Sequence, residues 1–159
     1  MTSSALPPEP SPVTVRRSID LPIGVGEAWP ALTGADALGE WLGDAVDLEL
    51  RPGAAGGLID DDGDRRTVVV REVEPQQRVS FTWWRDDDPG VASTVELVLV
   101  PTAAGSRLTV TETMSMTVMS MTVMSMTVMS TRATAGDVPR LLERAGRAVL
   151  RSRALSVCC

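Results

Sequence analysis

An α+β fold is predicted for this chain: a curved antiparallel sheet of about six to seven strands around one long C-terminal helix, with two short helices after the first strand. Three observations predict it. Period-two alternation of apolar residues recurs in short runs joined by turns too brief for parallel crossovers. Two short stretches with helical spacing follow the first run, and one long amphipathic stretch closes the chain. A sheet with one apolar face, and a single helix long enough to cover it, wrap together most economically.

Val13 to Leu21 is the first strand, with Val13, Val15, Ile19 and Leu21 on one face. Pro22 to Gly26 breaks it. A first helical piece over Gly26–Thr33 carries Ala28, Trp29 and Leu32, with Pro30 assigned near its first turn. A second opens at Asp36 as N-cap, spaces Leu38, Trp41 and Leu42 at i, i+3 and i+4, and stops at Gly43. Strands follow over Ala45–Leu50, Gly56–Asp60, Arg66–Val73, Gln77–Arg85, Ser93–Val100 and Ser106–Thr113. The turns between them include Asp61-Asp-Gly-Asp64, Glu74-Pro75 and Asp86-Asp-Asp-Pro-Gly90. The closing helix runs from Asp137, read as its cap, to about Ser156. Its apolar stripe is Val138, Leu141, Leu142, Ala145, Val149 and Leu150; Arg140, Arg144, Arg147 and Arg151 fill the polar side.

The 159 residues suit one domain, assigned to 13–156 after a proline-rich tail at 1–12. That tail lacks the basic start and apolar run of a signal peptide, and a cytoplasmic protein is expected. No apolar run approaches the roughly 20 residues of a membrane span, so no membrane insertion is expected. The net charge of −6 divides unevenly, with acids dominating through Thr113 and arginines beyond it. An acidic body with one basic helix argues against nucleic acid as a partner. There is no His, and all 15 basic side chains are Arg. The usual neutral-pH proton shuttle and the commonest metal ligand are both missing. Lys and Tyr are also absent, which excludes Schiff-base and phenolic acid chemistry. The all-arginine usage, with abundant Ala, Gly, Val and Asp, suggests a GC-rich bacterial genome.

Several features invite sharper readings. Asp60 to Asp64 lacks the ligand spacing of a calcium loop and reads as a hairpin turn. Cys158 and Cys159, adjacent and terminal, do not make a zinc site. Residues 114–130 repeat Met-Ser-Met-Thr-Val, a period matching neither helix nor strand. Its thioethers would suit Cu(I), but neither His nor thiolate lies nearby in sequence. It reads as a low-complexity insertion before the last helix that can prolong the preceding strand. No metal and no cofactor are expected.

Trp83 and Trp84 are adjacent in a strand and must point to opposite faces. Core packing accounts for all four tryptophans; the functional alternative has Trp41 and Trp83 lining an apolar cavity. At this point the chain resembles the proteins similar to the C-terminal domain of the activator of Hsp90 ATPase, within the START/Bet v 1-like (SRPBCC) superfamily. The resemblance spans Val15 to Glu112. It is carried by Ser18-Ile-Asp-Leu-Pro22, Glu27-Ala-Trp-Pro-Ala-Leu-Thr33, Asp36-Ala-Leu-Gly-Glu-Trp-Leu42, Val73-Glu-Pro75, Arg78-Val-Ser-Phe-Thr-Trp83, Ser93-Thr-Val-Glu-Leu97 and Gly105-Ser-Arg-Leu-Thr-Val-Thr-Glu112. After Glu112 the methionine repeat stands where such proteins carry an aromatic-containing segment.

The resemblance implies a helix-grip fold enclosing a hydrophobic pocket. The function expected from it is binding of an apolar or amphipathic small molecule between sheet and C-terminal helix. The candidate lining residues are Trp41, Phe81, Trp83, Leu142, Ala145 and Val149. A protein-partner role, as a co-chaperone or stress-response accessory, stays open. So does a cyclase- or dehydratase-type enzyme, with Glu72, Glu74 and Glu96 as mid-strand carboxylates that solvent-facing positions explain more simply. No catalytic machinery is recognisable, so a binding protein is expected rather than an enzyme.

Overall fold

A computed structural model of the chain describes residues 12–116 and 137–156. The tail, most of the methionine repeat and the terminal cysteines lie outside the described residues. The elements are β1 (Val13–Leu21), α1 (Val25–Thr33), α2 (Ala35–Trp41), β2 (Asp44–Asp47), β3 (Ala55–Ile59), β4 (Arg65–Glu74), β5 (Arg78–Arg85), β6 (Asp88–Thr102), β7 (Gly105–Met116) and α3 (Asp137–Ser156). This is the expected α+β helix-grip order. Among the described residues, no helix is long and apolar enough to cross a membrane.

The strands form one seven-stranded sheet in the order β1-β7-β6-β5-β4-β3-β2, antiparallel throughout. From β2 onward each strand pairs with the next, as short turns require. The exception is β1, which pairs along its whole length with β7, Val13 opposite Met114 and Leu21 opposite Ser106. Since β1 and β2 are at opposite edges, the chain between them must traverse the full width of the sheet. That traverse is α1 and α2. They contact each other and α3, and α3 also packs on β1 and β7.

Alternation sets the inner face. Val68 and Val70 of β4, Val79, Phe81 and Trp83 of β5, Val95, Leu97 and Leu99 of β6, and Leu108 and Val110 of β7 are all buried. Each such side chain contributes roughly 1.5–3 kcal/mol when taken from water. Trp84 is only half-buried on the other face, as its neighbour's inward position demands. On α3, Leu141, Leu142, Ala145, Ala148 and Val149 are buried.

Local boundaries differ from expectation in ways with clear causes. Leu150 is 50% exposed, because at 100° per residue it lies about 140° from the centre of the buried α3 face. Pro30 lies inside α1, not in its first turn, since the helix begins at Val25. The N-cap of α2 is Gly34, with Asp36 inside the first turn. The β5–β6 turn is Asp86 and Asp87 alone; β6 starts at Asp88, and a register break at Trp84/Arg85 absorbs residues 89–91. Arg85 bonds the Asp87 carboxylate at 3.1 and 3.2 Å and pairs with Asp64 at 2.8 Å, which neutralises acid at this tip. Val13, grouped with Val15, Ile19 and Leu21 on the apolar face of its strand, is 54% exposed at the edge. β2 ends at Asp47, short of Leu50. There Gly56 approaches so closely that a Cβ would stand 2.0 Å from the Asp47 carbonyl oxygen.

The β4–β5 turn holds the one strained non-glycine backbone among the described residues. Pro75 and Gln76 are its central residues, closed by Gln77 N–H donating to the Glu74 carbonyl at 3.0 Å, and Gln76 has φ of 62°. A left-handed conformation costs a residue with a Cβ about 1–2 kcal/mol, partly offset by glycine's greater chain entropy. Gln76→Gly is therefore expected to stabilise the fold by about 0.5–1 kcal/mol in urea denaturation. A loss of stability would contradict this reading of the turn.

Candidate functional site

The inner face divides into two recesses. The first is apolar and lies beneath α1 and α2. Trp29 and Leu32 of α1, Leu38 and Trp41 of α2, Phe81 of β5 and Leu108 of β7 help line it. Trp41 is held in place by its indole N–H, which donates to the Leu32 carbonyl at 2.8 Å and ties α2 to α1. The enclosed cavity is about 10 Å³, roughly the space of one water probe. The side chains close on one another here.

The second recess is polar and lies where the first half of α3 meets the end of α2 and the β3–β4 turn. Leu42, Asp61, Arg66, Trp83, Leu141 and Arg144 line it around a cavity of about 20 Å³. Arg144 bridges its mouth: its Nε donates to the Glu40 carbonyl at 3.2 Å, and its guanidinium pairs with Asp61. The expected polar-side arginine of α3 is thus a link among three elements. Phe81 of the first recess meets Trp83 of the second edge-on, with centroids 5.6 Å apart. Those two rings separate the recesses.

Trp83 lies at the centre of a buried polar row. The Arg66 guanidinium carbon stands 4.6 Å from its ring centroid, a cation–π contact. At the ring edge, the indole N–H donates to Glu112 Oε1 at 3.2 Å. Arg66 and Glu112 are 6% and 3% exposed. Taking such ions out of water costs on the order of several kcal/mol each, and good geometry must recover it. Arg66 Nε donates to Asp60 Oδ2 at 2.8 Å. Asp60 Oδ1 accepts the backbone N–H groups of Asp62 and Asp64 at 3.0 and 2.9 Å. The acidic cluster of the sequence is therefore a turn organised by Asp60.

The candidate lining residues separate accordingly. Trp41 and Phe81 meet at the apolar recess. Trp83 lies at the polar one. Leu142, Ala145 and Val149 are buried on α3 and line neither. The apolar recess is covered by α1 and α2, not by the C-terminal helix, because α3 is taken up by β1, β7 and the two short helices. Glu72 and Glu96 face outward around Arg78, which pairs with both, and Glu74 is exposed. The inward carboxylate is Glu112, overlooked among the mid-strand candidates. Its parity with Leu108 and Val110 was the available signal, as Arg66's was with Val68 and Val70.

Burial raises the Asp60 carboxyl, but the Arg66 hydrogen bond, the backbone donors and the Arg66 charge outweigh it and hold the group below its ordinary value. A depressed carboxylate contributes stability above its unfolded value of about 4, lost as pH falls through the folded value. Asp60→Asn is expected to cost about 1.5–3 kcal/mol at pH 7, since it removes the charged acceptor of the Arg66 Nε hydrogen bond. Urea denaturation from pH 7 to 3 should show that difference shrinking below about pH 4. A pH-independent difference would contradict the assignment.

Solved structures of similar fold include protein MLL2253 from Mesorhizobium loti, with 24% identity over 87% of this chain and 98% of that one and a TM-score of 0.67. A protein from Rhizobium leguminosarum has 15% identity, covers 89% of this chain and 96% of its own, and gives a TM-score of 0.68. DynU16, a protein of the dynemicin biosynthetic locus, has 23% identity over 86% of this chain and 47% of its own, with a TM-score of 0.64. These likenesses show the fold alone. No curated protein matches the chain's sequence. The model of one family, Activator of Hsp90 ATPase homolog 1-like protein, matches residues 25–132. That stretch exceeds half of the chain and holds α1, α2 and the sheet from β2 to β7, so the chain belongs to this family.

Proposed function

We propose that the protein binds an apolar or amphipathic small molecule between the sheet and the α1–α2 pair. The observation that carries this reading is the first recess, where aromatic and aliphatic side chains from two helices and three strands converge. The neighbouring polar row gives an amphipathic ligand somewhere to place its polar end.

The cavity of about 10 Å³ is far below the roughly 300 Å³ of an ordinary ligand pocket. Binding therefore requires α1 and α2 to move away from the sheet. Their construction suits that. α2 has seven residues, α1 contains Pro30, and neither has a side-chain hydrogen bond at its N-cap. Helices this short derive their stability from packing rather than from themselves. A ligand that replaces their contacts with Phe81 and Leu108 exchanges one apolar surface for another.

Titration with apolar probes from naphthalene to lauric acid, followed by tryptophan emission and thermal melting, tests the reading. Trp29 and Trp41 flank the recess, so a bound probe should change the emission and raise Tm. Leu38→Phe, which fills the recess, should weaken binding about tenfold or more. Val100→Phe, on the exposed outer face, should leave binding unchanged. The absence of any spectral or thermal response would overturn the proposal.

A further inference from the structure

We infer that the outward face of α3 docks on an anionic phospholipid surface, laying a row of arginines against the headgroups without entering the bilayer. This goes beyond the binding reading and does not depend on what the recess holds. Opposite the buried stripe centred on Ala145, α3 carries Arg140, Glu143, Arg144, Arg147, Leu150 and Arg151. At 100° per residue the four arginines fall within about 60° of one another and span about 16 Å of helix, a straight ridge along it. The chain as a whole is acidic, with a net charge of −6, yet this face sets four arginines against one glutamate.

The fold uses only part of this ridge. Arg144 joins α3 to Asp61 and to the Glu40 carbonyl, and Arg147 pairs with Glu143. Arg140 and Arg151 are exposed and have no ion pair among the described residues. Arg140 with Arg144, and Arg147 with Arg151, are like charges at i, i+4, a spacing that destabilises a helix on its own. A plane of phosphates is the complement that turns this cost into attraction. A guanidinium takes phosphate oxygens in a bidentate fork, and each arginine held near an anionic leaflet adds to the binding. Leu150, 50% exposed beside the row, supplies an apolar contact at the same surface. A polyanion that follows the protein surface past the ridge meets Asp61 and Asp62 beside Arg140 and Arg144. A flat leaflet, which touches the crest of the helix, fits better.

The test is co-sedimentation of the full chain with vesicles of phosphatidylcholine alone and of equal parts phosphatidylcholine and phosphatidylglycerol. The chain should pellet with the mixed vesicles only, and less of it as salt rises. Arg140→Gln combined with Arg151→Gln should weaken that binding about tenfold or more. Glutamine matches arginine in helix propensity and the buried stripe is untouched, so α3 stays folded. Arg51→Gln combined with Arg71→Gln removes the same charge from exposed positions off the helix, on the β2–β3 connection and β4, and should leave binding unchanged. Failure to pellet with the mixed vesicles, equal binding to both kinds, or an equal effect of the two double substitutions overturns the inference. Retention on heparin without vesicle binding also overturns it, and assigns the ridge to a soluble polyanion.

Discussion

The pairing of β1 with β7 is the constraint on which the remainder depends. It places the first strand beside the last and sends the chain from one edge of the sheet to the other before β2 begins. Two short helices make that passage across a face whose inward residues are almost all apolar. Because α3 lies on β1 and β7, the two helices complete the cover. The apolar recess is a consequence of this division of labour.

The two parts of the cover differ in how firmly they are held. α3 has 20 residues with a buried stripe of leucine, alanine and valine, and Arg144 ties it to both α2 and the β3–β4 turn. α1 and α2 are brief, and their main internal fastening is the Trp41–Leu32 hydrogen bond. A ligand site that opens by moving its weaker wall leaves the sheet and long helix undisturbed. The interior can then be closed when empty without being permanently solid.

Much of this was legible in the sequence. Alternation around Phe81 and Leu108 located the strands, and the spacing of Leu141, Leu142, Ala145 and Val149 located the last helix. The antiparallel class followed from turn length alone. The position of the recess was not legible, because it depends on β1 joining β7 across some 90 residues of chain, and no local pattern reports that pairing. Leu142, Ala145 and Val149 were correctly read as inward but meet the core elsewhere. Glu112 was within reach of the sequence, since it shares parity with Leu108 and Val110. A charge in an apolar series is easily taken for a solvated residue, and its burial became visible only with Trp83 in place.

On the proposed reading, α1 and α2 form a movable cover over an apolar site. Amide hydrogen exchange, measured with and without a bound naphthalene probe, tests it directly. Amides of α1 and α2 should exchange faster than those of β5–β7 in the free protein and gain protection selectively when the probe binds. Equal protection of α1–α2 and the central strands, unchanged by a probe that demonstrably binds, would contradict it.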